Sequence, residues 1–137
     1  MTLKGWAAAA GLVLLAPSAL QAATEANFGA ATTGDLVELC TAAPDSAMGT
    51  AAVNFCEGFA QGAVLVEMQN QAAFRGPKLF CMPNPLPSRN EALSEFVNWA
   101  RGSPDRLSAS STDGLFRFLR NAIRVPNLAD QPLRGTP

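Results

Sequence analysis

The residues of this sequence best suited to chemistry are three cysteines, Cys40, Cys56 and Cys81. A thiol can form a disulfide, or it can act as a nucleophile when a nearby base lowers its pKa. The chain contains no histidine, so the usual activating base is missing. The same absence removes most zinc sites, Ser/His pairs and any imidazole pH switch. We therefore interpret the cysteines as structural.

An odd number of cysteines means that at least one thiol is free or pairs with another chain. Cys40 falls at the end of the first predicted helix and Cys56 in the third turn of the second. A helical hairpin with a short turn would bring these ends together. A disulfide closing a loop of that size contributes about 3 kcal/mol, chiefly by restricting the unfolded chain. The residues alone leave the pairing open.

The charged residues do not suggest catalysis. The carboxylates are scattered, and the sequence has no phosphate-binding loop, nucleophile elbow or metal-ligand cluster. We therefore expect no enzymatic activity, no cofactor and no metal. Glu57 and Gln61 are exposed candidates for contact with a partner. A basic stripe on the last predicted helix is either a surface for an acidic partner or a solvated helix face; it comprises Arg117, Arg120 and Arg124.

Two glycines four residues apart, Gly58 and Gly62, lie within the second predicted helix beside Phe55 and Phe59. Glycine costs about 1 kcal/mol in a helix interior. This cost predicts that another backbone approaches the helix closely at these positions. The crossing lies either within the domain or at the interface of a homodimer, and we interpret all four residues as helix-packing residues.

Composition bounds the class of protein. The chain has 137 residues, enough for one domain, and 48% of them are hydrophobic. It carries 10 Lys+Arg against 11 Asp+Glu, a formal net charge of -1. This balance excludes nucleic-acid binding through a basic surface.

The N-terminal segment 1–22 has the layout of a secretory signal peptide. Lys4 supplies a positive charge, residues 6–16 are uncharged and apolar, and small residues follow Pro17. An uncleaved anchor is the alternative, but a membrane span needs about 20 apolar residues. We expect cleavage near Ala22 and export to the periplasm, an oxidising compartment in which cysteines can pair.

The remaining sequence predicts an all-α bundle of about four helices after a flexible lead-in at 23–33. Apolar residues recur at helical spacing in each of them. The first three helices run over about 33–41, from about 46 to 70, and from the Ser88–Glu91 capping box to Gly102. The fourth covers about 112–124, within a helical domain at 34–126. Prolines mark a loop before the third helix, residues 103–111 form another loop, and 127–137 form a disordered tail.

Three motifs resemble the periplasmic Tai/Rap-type immunity proteins, namely residues 34–40, 54–62 and 80–83. The resemblance implies a small, secreted, helical protein that binds and blocks a cell-wall amidase effector delivered by type VI secretion. The family usually ends its last helix with Pro-Cys, whereas this chain has Pro126-Asn127. Because that cysteine is missing, the resemblance implies a Cys40–Cys56 disulfide and an unpaired Cys81.

Taken together, the sequence predicts a periplasmic, non-enzymatic binding protein of the immunity type, with an amidase-like effector as its partner. An HdeA-like acid-stress chaperone is the alternative, also small, helical and disulfide-bonded. The lack of histidine and the few lysines speak against it, although carboxylate protonation alone can drive such a switch. An adjacent gene for an amidase would favour the immunity function.

Overall fold

The computed structural model describes residues 23–74 and 78–122, and these form an all-α domain, as predicted. A 3-10 helix, Glu25–Gly29, precedes five α-helices. The α-helices are α1 (Thr33–Cys40), α2 (Ala47–Ala73), α3 (Arg89–Arg101), α4 (Pro104–Ser108) and α5 (Ser111–Ala122). The predicted signal peptide, the end of the last helix and the tail lie outside the described residues.

Local sequence determines where these helices begin. The hydroxyls of Thr32, Ser46 and Ser88 accept hydrogen bonds from the first turns of α1, α2 and α3. The predicted capping box at Ser88 and Glu91 is present. Each such cap satisfies backbone N–H groups that have no partner inside the helix.

The segment between α3 and α5 is the place where the helix prediction was wrong. A loop was expected over 103–111, but α4 occupies Pro104–Ser108. Pro104 stands at the first helical position, where its missing N–H costs no hydrogen bond and its fixed φ suits a helix. Asp105 adds a negative charge in the first turn.

The lead-in at 23–33 also has structure. Its 3-10 helix lies against α1, and Phe28 meets Phe55 of α2 edge-on with ring centroids 5.5 Å apart. Ala23 and Ala30 are buried. The lead-in therefore contributes to the packing of the domain.

The shortest of the first three predicted helices, α1, lies at the centre of the fold. It contacts the 3-10 helix and every other α-helix. Leu36, Val37 and Leu39 are at most 1% exposed. The rest of the core comes from α2, the segment before α3, α3 and α5, and includes Cys56, Phe80, Phe96, Ala100, Leu115 and Phe118.

The longest helix, α2, is buried over only part of its length. Its buried residues are Gly49, Ala52 and Cys56, all in its first half. Leu65, Val66 and Met68 in the second half are 51%, 62% and 43% exposed. At 27 residues, or about 40 Å, α2 is longer than α1, on which it packs. Its second half consequently leaves an apolar face uncovered by the described residues.

Candidate partner-binding surface

A disulfide joins the helices that carry the first two motifs. Cys40, the last residue of α1, is bonded to Cys56 in the third turn of α2, with the two Cα atoms 5.1 Å apart. This is the pairing that the family resemblance implies. Cys81 is half-buried and does not pair within the described residues. The bond fixes the start of α2 against the central helix.

The helix crossing predicted at Gly58 and Gly62 is not present in the described domain. A methyl group added at either glycine would meet no atom of the described residues within 4 Å. Phe55 and Phe59, in contrast, lie partly buried against the core, with their rings 6.3 Å apart. A crossing within the described domain is therefore wrong, because helical periodicity does not show which face of α2 is covered, whereas a crossing at a homodimer interface stays a prediction.

The exposed half of α2 forms one wall of an apolar groove with a volume of about 480 Å³. The segment 82–87 and the start of α3 line its other side, and α5 lies at its base. Apolar residues from all of these elements reach the groove, among them Val64, Leu65, Met68, Met82, Leu86 and Leu119. A concave apolar surface of this kind is typical of a binding site.

A polar cluster stands at the rim of this groove. Arg89 donates a 2.8 Å hydrogen bond to Glu57 Oε2 through Nη1, and a 3.1 Å bond to Gln61 Oε1 through Nη2. The Arg89 side chain is 55% exposed, so its ion pair with Glu57 adds little stability. Arg89 thus joins two predicted contact residues, Glu57 and Gln61, in one cluster.

Sequence reasoning missed Arg89 in this cluster. It lies 32 residues from Glu57, in the first turn of α3. Glu57 and Gln61 are one helical turn apart, so their shared face can be derived from spacing alone. Nothing in the sequence pattern, however, places the start of α3 beside the middle of α2.

The basic stripe lies elsewhere. Leu115, Phe118 and Leu119 of α5 face the core and the groove, whereas Arg117 and Arg120 are exposed. Arg117 pairs with Asp113 one turn earlier at 2.8 Å. Arg124 lies outside the described residues. The structure therefore does not bring the described arginines of this stripe to the rim cluster.

The free thiol borders a second, smaller pocket of about 360 Å³ next to the groove. This pocket shares Met68 and Met82 with the groove, and Lys78 and Cys81 line it. Within 23–74 and 78–122, no group of three or more His, Cys, Asp or Glu residues is arranged to hold a metal ion. Nor does any helix of those ranges have the length and apolar character needed to cross a membrane.

The structure is thus a small helical domain with one internal disulfide and an open apolar groove with a polar rim, a surface of the kind found at protein interfaces. The family model of Rap1a immunity proteins matches residues 32–123, which is 92 of the 137 residues. The chain belongs to this family. The match begins at Thr32, the cap of α1, and covers α1 to α5. No curated protein and no solved structure matches the chain.

Proposed function

We propose that this protein is a periplasmic immunity protein that neutralises a cell-wall amidase effector delivered by type VI secretion. The observation that carries the proposal is the family match across all five α-helices. Immunity proteins act by binding, and a groove with a polar rim offers a surface for that purpose. The proposed action is steric occlusion of the effector's active site, without catalysis.

We place the effector contact at the rim formed by Glu57, Gln61 and Arg89. The ion pair there is exposed, so both partners can exchange it for hydrogen bonds to an effector at small cost. Apolar side chains beside the rim supply the area that excludes water around such contacts. The exposed Arg117 and Arg120 offer a second face, which the Arg117→Glu variant described below tests.

The test is co-expression in the periplasm with an amidase encoded by a neighbouring gene. Protection from lysis and a complex of the purified pair on size exclusion would support the immunity function. Lysis at the same rate with and without this protein, together with no complex, would rule it out for that effector. The intact mass of the periplasmic protein tests export in the same sample, because a mass retaining residues 1–21 would contradict cleavage near Ala22.

Two charge reversals locate the contact. Glu57→Arg places a repelling charge beside Arg89 at the rim, and we expect it to weaken the complex by at least about ten-fold, the effect of disrupting one interface contact. Arg117→Glu is the matched control on the other face. Arg117 is exposed and the Glu57 side chain is 25% exposed, so the thermal midpoint of each variant is measured first and binding is compared only between folded proteins. Loss of binding with Arg117→Glu alone would move the contact to α5.

A further inference from the structure

The apolar groove continues into the smaller pocket, and we call the two together the extended groove. They share Met68 and Met82. Along α2 they cover residues 57–72, which is about 22 Å of helix. Leu65 on one wall is 51% exposed, and Leu86 on the other is 64% exposed. Contiguous apolar surface of this kind marks a place where another molecule binds.

One unpaired charge lies at the extended groove. Glu57 and Arg89 line it at one end, but they are paired with each other. Lys78 lines the other end and forms no ion pair within the described residues. Glu67 lines neither cavity, and its carboxylate accepts a hydrogen bond from Gln71. The extended groove therefore combines apolar surface with one free positive charge, which favours an acidic occupant.

The elements around the extended groove favour a helix as that occupant. Its walls and base come from α2, α3, α5 and the segment 82–87, so no strand edge of the described residues is available for an added strand. An amphipathic helix instead places side chains at i, i+3, i+4 and i+7 in an apolar groove. Met68 and Met82 lie where the two cavities join, and methionine adapts to the shape of such side chains. A helix of about 15 residues matches the length of the extended groove.

From this surface we propose that the extended groove binds an amphipathic helix of the effector, with apolar side chains in the groove and an acidic residue at Lys78. The inference rests on the proposed function and names the part of the effector that meets the rim. A second copy of this chain fits less well. Only α2 among the described helices has exposed large apolar residues. Its exposed outer face has no carboxylate for Lys78 and comprises Gly58, Gly62, Leu65, Val66 and Gln69.

Two peptides test the groove without the effector. Each is a helix of about 15 residues with leucine at i, i+3, i+7 and i+11, and they differ only in carrying glutamate or lysine beside the terminal leucines. We expect the full chain to bind the glutamate peptide at least about ten-fold more tightly, and Lys78→Glu to reverse this preference. Fluorescence anisotropy of the labelled peptides measures both affinities. Equal affinities, or no binding of either peptide, would overturn the proposal.

A matched pair of substitutions tests the same groove with the effector. Leu65→Asp places a charge in the groove, whereas Val66→Asp makes a similar change at the next residue, outside it. Both side chains are exposed on α2, so far-UV circular dichroism should show the same helix content in the two variants. We expect Leu65→Asp to lose protection from lysis and to weaken the complex by at least about ten-fold, while Val66→Asp keeps both.

The outcomes separate the groove from the immunity function. Protection retained by Leu65→Asp would overturn the groove proposal and leave immunity standing. No protection by the parent protein would rule out immunity for that effector, and the peptide preference would still decide whether the groove takes an acidic helix. A parent dimer that dissociates in Leu65→Asp would assign the groove to a second copy and overturn the proposal. Binding to phosphatidylglycerol vesicles that Leu65→Asp abolishes would assign it to a membrane and overturn the proposal as well.

Discussion

Two glycines on different helices have opposite surroundings. Gly114 of α5 packs on Thr33, the first residue of α1, so that a methyl group there would collide with the Thr33 side chain. Thr33 is fully buried, and its hydroxyl donates a 3.1 Å hydrogen bond to the Ser110 carbonyl. It therefore has no room to move aside. Gly58 of α2, by contrast, has no atom of the described residues within 4 Å of such a methyl group.

This contrast predicts opposite effects of one substitution. Gly114→Ala should reduce the free energy of unfolding by about 1–2 kcal/mol, because overpacking at Thr33 outweighs the better helix propensity of alanine. Gly58→Ala gains that propensity without a clash, so it should be neutral or stabilising by up to about 1 kcal/mol. Urea titration of both variants measures the difference. A stability loss at Gly58 matching that at Gly114 would contradict the open surroundings of Gly58.

At the scale of elements, the hairpin of α1 and α2 is held by the Cys40–Cys56 disulfide as well as by packing. The two helices are joined by a short turn and by the disulfide between residues 16 apart. The fully buried residues of the longer helix lie only in its first half, and its second half is only partly covered. The disulfide holds the buried half of α2 against the end of α1.

We expect Cys56→Ser to lower the free energy of unfolding by about 3 kcal/mol, the contribution of a disulfide closing a loop of this size. Cys81→Ser is the matched control, because that thiol is not bonded and its loss should cost far less. Chemical denaturation of both variants gives the comparison. Reducing agent should lower the free energy of unfolding of Cys81→Ser but leave that of Cys56→Ser nearly unchanged. A similar response of the two variants would argue against the Cys40–Cys56 bond.

For the molecule as a whole, the position of α1 makes its N-terminal cap important. The Thr32 backbone N–H and hydroxyl donate to Asp35 Oδ2 at 2.9 and 2.8 Å, and Asn27 donates to Oδ1 at 3.0 Å. These hydrogen bonds, the backbone bond of Thr32 foremost, lower the pKa of Asp35 below its usual value. They also connect the lead-in to the helix around which the other helices pack.

The lowered pKa of Asp35 predicts an acid-dependent stability. A carboxyl whose pKa is lower in the folded state stabilises the fold when the pH is above the pKa of the unfolded state, which is about 4. This stabilisation is lost as the pH falls through the pKa of the folded state. We expect Asp35→Asn to cost about 1 kcal/mol at pH 7, as for other helix caps. The deficit should shrink below about pH 4 in urea titrations.

Asp45→Asn, in the exposed turn before α2, is the control for this experiment. The difference in free energy of unfolding between Asp45→Asn and the parent protein should stay small over the same pH range, because exposed surface substitutions have small effects. A constant deficit for Asp35→Asn from pH 7 to pH 3 would show that its cost comes from shape and not from charge.

The sequence by itself determined the local features of this protein. Helical spacing and the Ser88–Glu91 cap predict most of the α-helices, because these signals act between residues within one or two turns. The three motifs led to the immunity family. Only α4 and the 3-10 helix were missed, since short helices contain too few residues to show a period.

Tertiary structure alone decided which faces are covered. Gly58 and Gly62 have the spacing of a packed helix, yet no described residue packs on them. Val66 continues an apolar stripe that the described residues leave exposed. Arg89 meets Glu57 across 32 residues of sequence. Such contacts depend on the lengths and directions of whole helices, and here α2 extends beyond the central α1. The periodicity of a helix identifies its apolar face, but only the surrounding helices determine how much of that face is covered.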